Sequence, residues 1–227
     1  ADETCWSRQE FRSMLRRWAE LTAGQVYYEY DPHDWSHAQR PHWRSQGIAE
    51  DHRLLKSLGG WGYSNEGQMA WLSTGLNWYL RAHLAWDLEL DPAEEIRDFC
   101  TRFFGPAARP MLRYYTEVEQ AIRTATVHGF GFSDQAAAVE MVDLLFPRPL
   151  LDEWLALLDE AKALATEEPY ARRVAAFRAG LDRLDNWSRA RAAMVRGDYQ
   201  GAVGFGEAMT KVVTDLGDSA LMQDAGP

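Results

Sequence analysis

The spacing of apolar residues in the first part of the chain predicts alternating helices and strands. Apolar side chains recur every three to four positions over residues 7–21, 47–58 and 68–86, which predicts three amphipathic helices. Between them, residues 25–30 and 61–63 are rich in aromatic and β-branched types, which favour strands. Strands that alternate with helices pair in parallel through crossover connections. We therefore expect a β/α region with two parallel strands.

The remainder of the chain has helical periodicity throughout. Asp91 precedes Pro92 and the acidic pair Glu94 and Glu95, a combination typical of a helix start because acids favour the positive end of the helix dipole. An apolar stripe over residues 170–187 predicts the seam of a helical bundle. The predicted helices cover approximately residues 91–104, 107–127, 134–146, 150–166, 169–196 and 199–216.

Composition excludes some classes of function and leaves the localisation open. The net charge of −10 and the pI near 5.1 argue against nucleic-acid binding, which requires a basic face. No apolar run approaches the ~18–20 residues of a membrane span. The first residues are polar and acidic, so we expect the chain to follow a removed signal or to be part of a longer protein. Secretion, the periplasm and the cytoplasm are all compatible with this sequence.

Two residue types bear on the core. Of the two cysteines, Cys100 falls on an apolar helical stripe, and free cysteine is often buried, so we expect a core residue. The ten tryptophans have two possible uses, which are packing in the core and stacking on flat apolar faces such as sugar rings. Position separates them: Trp71, Trp78 and Trp86 fall in a predicted helix and are expected to pack.

Several short motifs occur in a characteristic order over the first ~130 residues. They are Cys5 before a helix that ends near Trp18, VYYEY at 26–30, Pro41, GGWGYSNEG at 59–67, LNWYL at 76–80, LAWD at 84–87 and FFGPAA at 103–108. The last three are the most specific. In these features the chain resembles the C-terminal part of the bacterial family called domain of unknown function 4838, which is related to barrel glycosidases, including endo-β-N-acetylglucosaminidases and, more distantly, α-glucuronidases.

The resemblance implies a fold class of α/β followed by all-α. Residues 1–88 would supply the last two β/α units of a (β/α)8 (TIM) barrel, and residues 89–227 a C-terminal helical domain. A complete barrel takes roughly 250 residues, and two parallel strands cannot close one. We therefore expect the chain to be a fragment whose partners are the remaining barrel strands of its parent.

In such barrels the active site lies at the carboxyl ends of the strands, where Glu66 and Glu29 are the candidate catalytic carboxylates. Glycoside hydrolysis generally uses two carboxyl groups that flank the scissile bond. The alternative for Glu66 is a stabilising acid at the start of the following helix. Glu29 alternates with Tyr28 and Tyr30, so it points into the barrel if the tyrosines face the helices; its alternative is a structural ion pair.

Candidate substrate-binding residues surround these carboxylates, many of them in a long polar and aromatic loop after the first strand. Trp35 and Trp43 in the loop and Tyr63 in the strand offer faces for a sugar ring, whereas core packing is favoured for Trp61. The loop histidines match no specific zinc or iron spacing, so we expect no metal and no other cofactor. The full substrate-binding set is Asp31, His33, Asp34, Trp35, Trp43, Tyr63 and Asn65.

The sequence thus predicts a carbohydrate-active protein. The favoured hypothesis is a glycoside hydrolase that acts on N-acetylhexosamine- or uronic-acid-containing glycans by carboxylate acid/base chemistry, with the activity in the full-length parent. The alternative is a carbohydrate-binding or purely structural helical module without catalysis. A clear pair of acids is not evident within this chain, and that favours the alternative for the chain alone.

Overall fold

The computed structural model describes residues 6–31, 41, 43–67, 71–124 and 145–216. Within these ranges it is mostly helical. In chain order the elements are α1 (Trp6–Leu21), β1 (Val26–Asp31), α2 (Ser45–Ser57), β2 (Gly62–Gly67), α3 (Trp71–Trp86), α4 (Pro92–Phe104), a 3₁₀ turn (Gly105–Ala107), α5 (Ala108–Thr124), α6 (Arg148–Leu164), α7 (Tyr170–Val195) and α8 (Tyr199–Leu216).

The two strands pair in parallel, which confirms the expected pairing. Their register runs from Val26 opposite Gly62 to Asp31 opposite Gly67. The predicted second strand, 61–63, was too short, because β2 continues to Gly67. The polar residues 64–66, which follow the predicted strand, lie within β2, where pairing with β1 satisfies their backbone groups.

The two faces of this small sheet differ in what covers them. On one face Tyr27 packs on Phe11 of α1, with ring centroids 5.5 Å apart, and Tyr63 packs on His52 of α2. On the other face Val26, Tyr28 and Ser64 are exposed. Helices therefore cover one face of the described sheet and leave the other accessible.

The helical part begins as the sequence predicted. The Asp91 carboxylate accepts a hydrogen bond of 2.9 Å from the backbone N–H of Ala93 and thereby caps α4. Gly105 ends α4 with a φ of +53°, a backbone conformation that L side chains rarely adopt. The ring of Tyr170 packs so closely that a Cβ at Gly105 would lie 2.7 Å from it. Residues 125–144, which include most of the helix predicted over 134–146, lie outside the described residues.

One hydrophobic cluster extends from Trp43 and α2 through α7. Aromatic rings dominate its centre. The ring centroids of Phe104 and Phe177 are 5.2 Å apart, and those of Tyr114 and Trp154 are 6.3 Å apart. Cys100 is buried in this cluster, as predicted, and burial raises the pKa of its thiol to about 12. Since the cluster also contains residues before position 88, the core is continuous across the domain boundary expected there.

Trp43 belongs to this core and is not an exposed loop platform. Trp43 is 1% exposed, and its ring centroid lies 4.4 Å from that of Tyr115 and 5.3 Å from that of Tyr114. Its expected role as a stacking face for sugar is therefore wrong for this structure. Trp43 itself packs against Tyr114 and Tyr115 of α5, a tertiary contact that local sequence does not reveal.

Two other tryptophans are exposed, although the sequence predicts that they pack in the core. Trp61 and Trp86, both expected to pack in the core, are 78% and 93% exposed. Trp61 precedes β2 and Trp86 is the last residue of α3, so each lies where its element leaves the packed layers. Trp78 is half-buried, and the side chain of Trp71 lies outside the described residues.

Over the described residues, the fold is α/β followed by all-α, with two short parallel strands in the α/β part. Among the described residues, no helix combines the length and apolar character that a membrane crossing requires. Within the same residues no group of three histidine, cysteine, aspartate or glutamate side chains is arranged to hold a metal ion.

The position of Trp43 predicts a large effect on stability. We expect Trp43→Ala to lower the free energy of unfolding by about 3–5 kcal/mol, because it opens a cavity between Tyr114 and Tyr115. Urea denaturation measures this value. Trp18→Ala is the matched control, since Trp18 is 52% exposed on α1 and its loss is expected to change stability by less than about 0.5 kcal/mol. Equal stabilities for the two variants would contradict the burial of Trp43.

Candidate functional site

The carboxyl ends of the two strands lie side by side, as the predicted site requires. Glu66 pairs with Tyr30 in the register, and Asp31 pairs with Gly67. The side chains of Glu66 and Asp31 are not among those that the structure describes. His33, Asp34 and Trp35 also lie outside the described residues, so their assignment to substrate binding remains a prediction.

The backbone position of Glu66 nevertheless bears on its alternative role. Glu66 lies in β2, and the described part of α3, Trp71–Trp86, has no acidic residue in its first turn. The stabilising effect of an acid on a helix dipole falls off within the first turn. Within the described residues, Glu66 is therefore a strand residue and not part of the first turn of α3.

Glu29 faces the helices, opposite to the orientation we expected. Its carboxylate contacts the guanidinium groups of Arg44, just before α2, and of Arg81 on α3; the Arg81 Nη2 to Glu29 Oε2 distance is 2.5 Å. The side chain of Arg81 is 1% exposed and that of Glu29 is 11% exposed. These contacts are those of a structural ion pair, which was the alternative interpretation of Glu29.

Arg81 is the residue of this cluster that sequence reasoning missed. Thr74, Asn77 and Arg81 are all buried and recur at helical spacing on α3. Asn77 Oδ1 accepts a hydrogen bond of 3.2 Å from the backbone N–H of Arg44, which fixes the entry to α2. The available signal was this polar stripe inside an otherwise apolar helix, since charged residues are rarely buried without a partner.

Tyr63 and Asn65 lie on the same helix-covered side of the site. The ring centroids of Tyr63 and His52 are 4.7 Å apart, and the guanidinium carbon of Arg81 lies 6.0 Å from the Tyr63 ring centroid. Asn65 Oδ1 is buried and has no hydrogen-bond partner among the described residues. The structure thus brings Glu29 and Tyr63 together around Arg81, in a polar layer between sheet and helices.

Burial perturbs two titratable groups of this layer. Burial, and then the nearby positive charge of Arg81, lowers the pKa of His52 from its ordinary value of 6.5 to about 4. Burial, and then the negative charge of Glu29, raises the pKa of the Tyr27 hydroxyl. At neutral pH, His52 is therefore an uncharged imidazole and Tyr27 an intact phenol.

The geometry separates a structural face from an accessible one. On the helix-covered face, the carboxylate of Glu29 is already engaged by two guanidinium groups. On the opposite face, Tyr28 and Ser64 are exposed and no described helix packs over them. Within the described part of the sheet, a ligand has access to this second face.

The fold and the site define a mixed α/β protein in which a small parallel sheet rests on a helical core through a buried polar layer. The family model described as "Domain of unknown function (DUF4838)" matches residues 2–117, slightly more than half of the chain, and the chain belongs to this family. No curated protein and no solved structure matches the chain significantly.

The ion pair at Glu29 predicts a loss of stability when its charge is removed. We expect Glu29→Gln to lower the free energy of unfolding by about 3 kcal/mol, because the buried charge of Arg81 loses its partner. Urea denaturation tests this. The control is Glu117→Gln, which removes an exposed i,i+4 partner of Arg113 and is expected to change stability by less than about 0.5 kcal/mol. An unchanged stability for Glu29→Gln would contradict a structural role.

The lowered pKa of His52 predicts a specific pH dependence. In the unfolded state His52 is protonated below about pH 6.5, whereas in the folded state it is protonated only below about pH 4. The contribution of neutral His52 to the free energy of unfolding is therefore complete above pH 6.5 and is lost as the pH falls from 6.5 to 4. Between pH 7 and 4.5 the wild type is expected to lose about 2 kcal/mol more than His52→Phe. Urea midpoints at several pH values measure the difference, and parallel pH profiles would contradict the prediction.

Proposed function

We propose that the chain contributes to a glycoside hydrolase acting on N-acetylhexosamine- or uronic-acid-containing glycans. One observation carries the proposal: two adjacent parallel strands end together, with helices on one face of the sheet and an accessible face on the other. Neighbouring strands of a (β/α)8 barrel have this arrangement, with active-site residues at their carboxyl ends. The resemblance of the first ~130 residues to a family related to barrel glycosidases supports the same function.

The strands that would complete a barrel are part of this proposal. Within the described residues β1 and β2 pair only with each other, which leaves one backbone edge of each strand without a neighbour. Exposed strand edges readily pair with further strands. Further β/α units of the full-length protein would extend the sheet from these edges and enclose the accessible face.

Glu66 is the carboxylate that we assign to the reacting sugar. It lies in β2 one residue before the strand ends, next to the end of β1. Glycoside hydrolysis uses carboxyl groups to protonate the leaving group and to activate or replace the nucleophile. Asp31, His33, Asp34 and Trp35 would bind the substrate from the end of β1 and the loop after it.

A non-catalytic carbohydrate-binding or structural module is the second candidate. It is favoured by the contacts of Glu29, the one candidate catalytic carboxylate whose side chain is described. Because Glu29 is engaged by Arg44 and Arg81, it is not placed to act as the partner of Glu66. A catalytic pair would then need a second acid from outside the described residues.

The test is hydrolysis by the full-length natural protein. Its substrates would be aryl N-acetylglucosaminides, aryl glucuronides and N-glycans, compared between the wild type and Glu66→Gln. We expect turnover of at least one of them, and a decrease of at least about 100-fold in kcat/KM for the variant, because an acid/base carboxylate contributes this much or more. Glu94→Gln is the matched control, since Glu94 is exposed on α4 and pairs with Arg97. Its activity is expected to equal that of the wild type.

Two results would contradict the proposal. If the wild-type protein hydrolyses none of these sugars, the non-catalytic module becomes the leading interpretation. If it hydrolyses one of them and Glu66→Gln retains the activity, the assignment of Glu66 is wrong.

A further inference from the structure

A separate cleft of about 320 Å³ lies at the opposite, amino-terminal end of β2. The end of α2, the start of β2 and the segment that follows α3 form its walls. None of the residues assigned above to a sugar-cleaving site lines it, apart from Tyr63. Its chemistry can therefore be considered independently of the proposed hydrolase.

Trp61 forms a fixed aromatic wall of this cleft. Its side chain is 78% exposed, yet the indole rests against Gly24, where an added Cβ would lie 2.3 Å from the Trp61 Cε2 atom. The backbone N–H of Trp61 donates a hydrogen bond of 2.9 Å to the carbonyl of Gln25. The absence of a side chain at Gly24 thus allows the exposed indole of Trp61 to pack against the backbone there.

The opposite wall is also held in place by hydrogen bonds. Trp86 is 93% exposed at the end of α3, and the backbone N–H of Asp87 donates to the carbonyl of His83 over 2.9 Å. Arg53 of α2 donates to the carbonyl oxygens of Leu88 and Leu90 over 3.0 and 3.1 Å. The segment that carries the rim carboxylates is therefore attached to α2.

The floor and rim supply polar groups. His52 is 6% exposed, and its Nε2 has no hydrogen-bond partner among the described residues. Its ring packs at 4.7 Å on Tyr63, which also lines the cleft. The rim carries the carboxylates of Asp87 and Glu89 and the ammonium group of Lys56.

We propose that this cleft binds a neutral carbohydrate, with one sugar ring stacked on Trp61 and its hydroxyl groups hydrogen-bonded to the rim carboxylates of Asp87 and Glu89. The apolar C–H face of a sugar ring matches the broad, flat face of an exposed indole. Carboxylates accept hydrogen bonds from sugar hydroxyls without requiring a charged ligand. The site does not depend on hydrolase activity.

The arrangement favours a sugar over a quaternary ammonium ion. Recognition of such a cation uses several aromatic faces that surround it and exclude water. Trp86 is 93% exposed and does not surround a ligand in the cleft, so Trp61 alone offers an indole face for stacking there. A flat ligand that stacks on one ring and hydrogen-bonds at its edge fits this geometry.

Isothermal titration calorimetry of the 227-residue chain tests the proposal. The probes are chitohexaose and cellohexaose as neutral oligosaccharides, and tetramethylammonium as the competing cation. We expect saturable binding of at least one oligosaccharide and a weakening of at least about tenfold in Trp61→Ala. Because Trp61 is largely exposed, the variant is expected to fold, and far-UV circular dichroism checks this.

A second pair of variants tests the placement of the indole without removing it. Gly24→Ala keeps Trp61 but introduces a Cβ into its ring, and is expected to weaken binding to a similar extent. Gly204→Ala, on α8, meets no atom within 4 Å and is the matched control; Trp18→Ala controls for loss of an exposed tryptophan elsewhere. Both controls are expected to bind as the wild type does.

Three results would overturn the proposal. They are the absence of saturable binding to either oligosaccharide, unchanged binding in Trp61→Ala, and binding of tetramethylammonium in place of the sugars. None of them bears on hydrolysis at Glu66, so this proposal and the proposed function can fail independently.

Discussion

The buried contact between Glu29 and Arg81 is the interaction on which the arrangement of the β/α region depends. A sheet of two strands is at best marginally stable by itself and requires a packed layer against one face. Here that layer includes a guanidinium that is 1% exposed, and a buried charge is strongly destabilising without a partner. Formation of the ion pair therefore links the position of β1 to that of α3.

Helix α3 transmits this constraint to the rest of the molecule. Its polar stripe, which includes Asn77 and Arg81, is buried in the region of β1 and the entry to α2. Its apolar residues Leu76, Leu80 and Leu84 belong to the cluster that continues through the aromatic centre of the helical part. The same helix thus joins the β/α region to the helical region, and none of the described helices covers the second face of the sheet.

The sequence predicted the features that are set by local chemistry. Asp91 and Pro92 mark a helix start because a capping carboxylate and a fixed φ act within one turn, and the structure has this cap. The parallel pairing followed from the order of strands and helices, and is confirmed. Burial of Cys100 followed from its place on an apolar stripe.

The features that the sequence did not predict are set by distant contacts. Alternation places Glu29 and Tyr28 on opposite faces of β1, but the pattern does not say which face the helices cover. Trp43 and Trp86 differ in exposure because Trp43 packs on α5 and Trp86 lies where α3 ends at the surface. Arg81 finds its partner on a strand far away in sequence, so local spacing shows a buried polar stripe without showing what it binds.

We propose that the face of β1 and β2 that no described helix covers faces a sugar-binding barrel interior. A crystal structure of the full-length natural protein with a bound N-acetylglucosamine oligosaccharide tests it most directly. The account predicts further parallel strands beside β1 or β2, with the oligosaccharide near Glu66 and on the side of Tyr28 and Ser64. Helices packed over that face, or an oligosaccharide bound far from both strands, would contradict it.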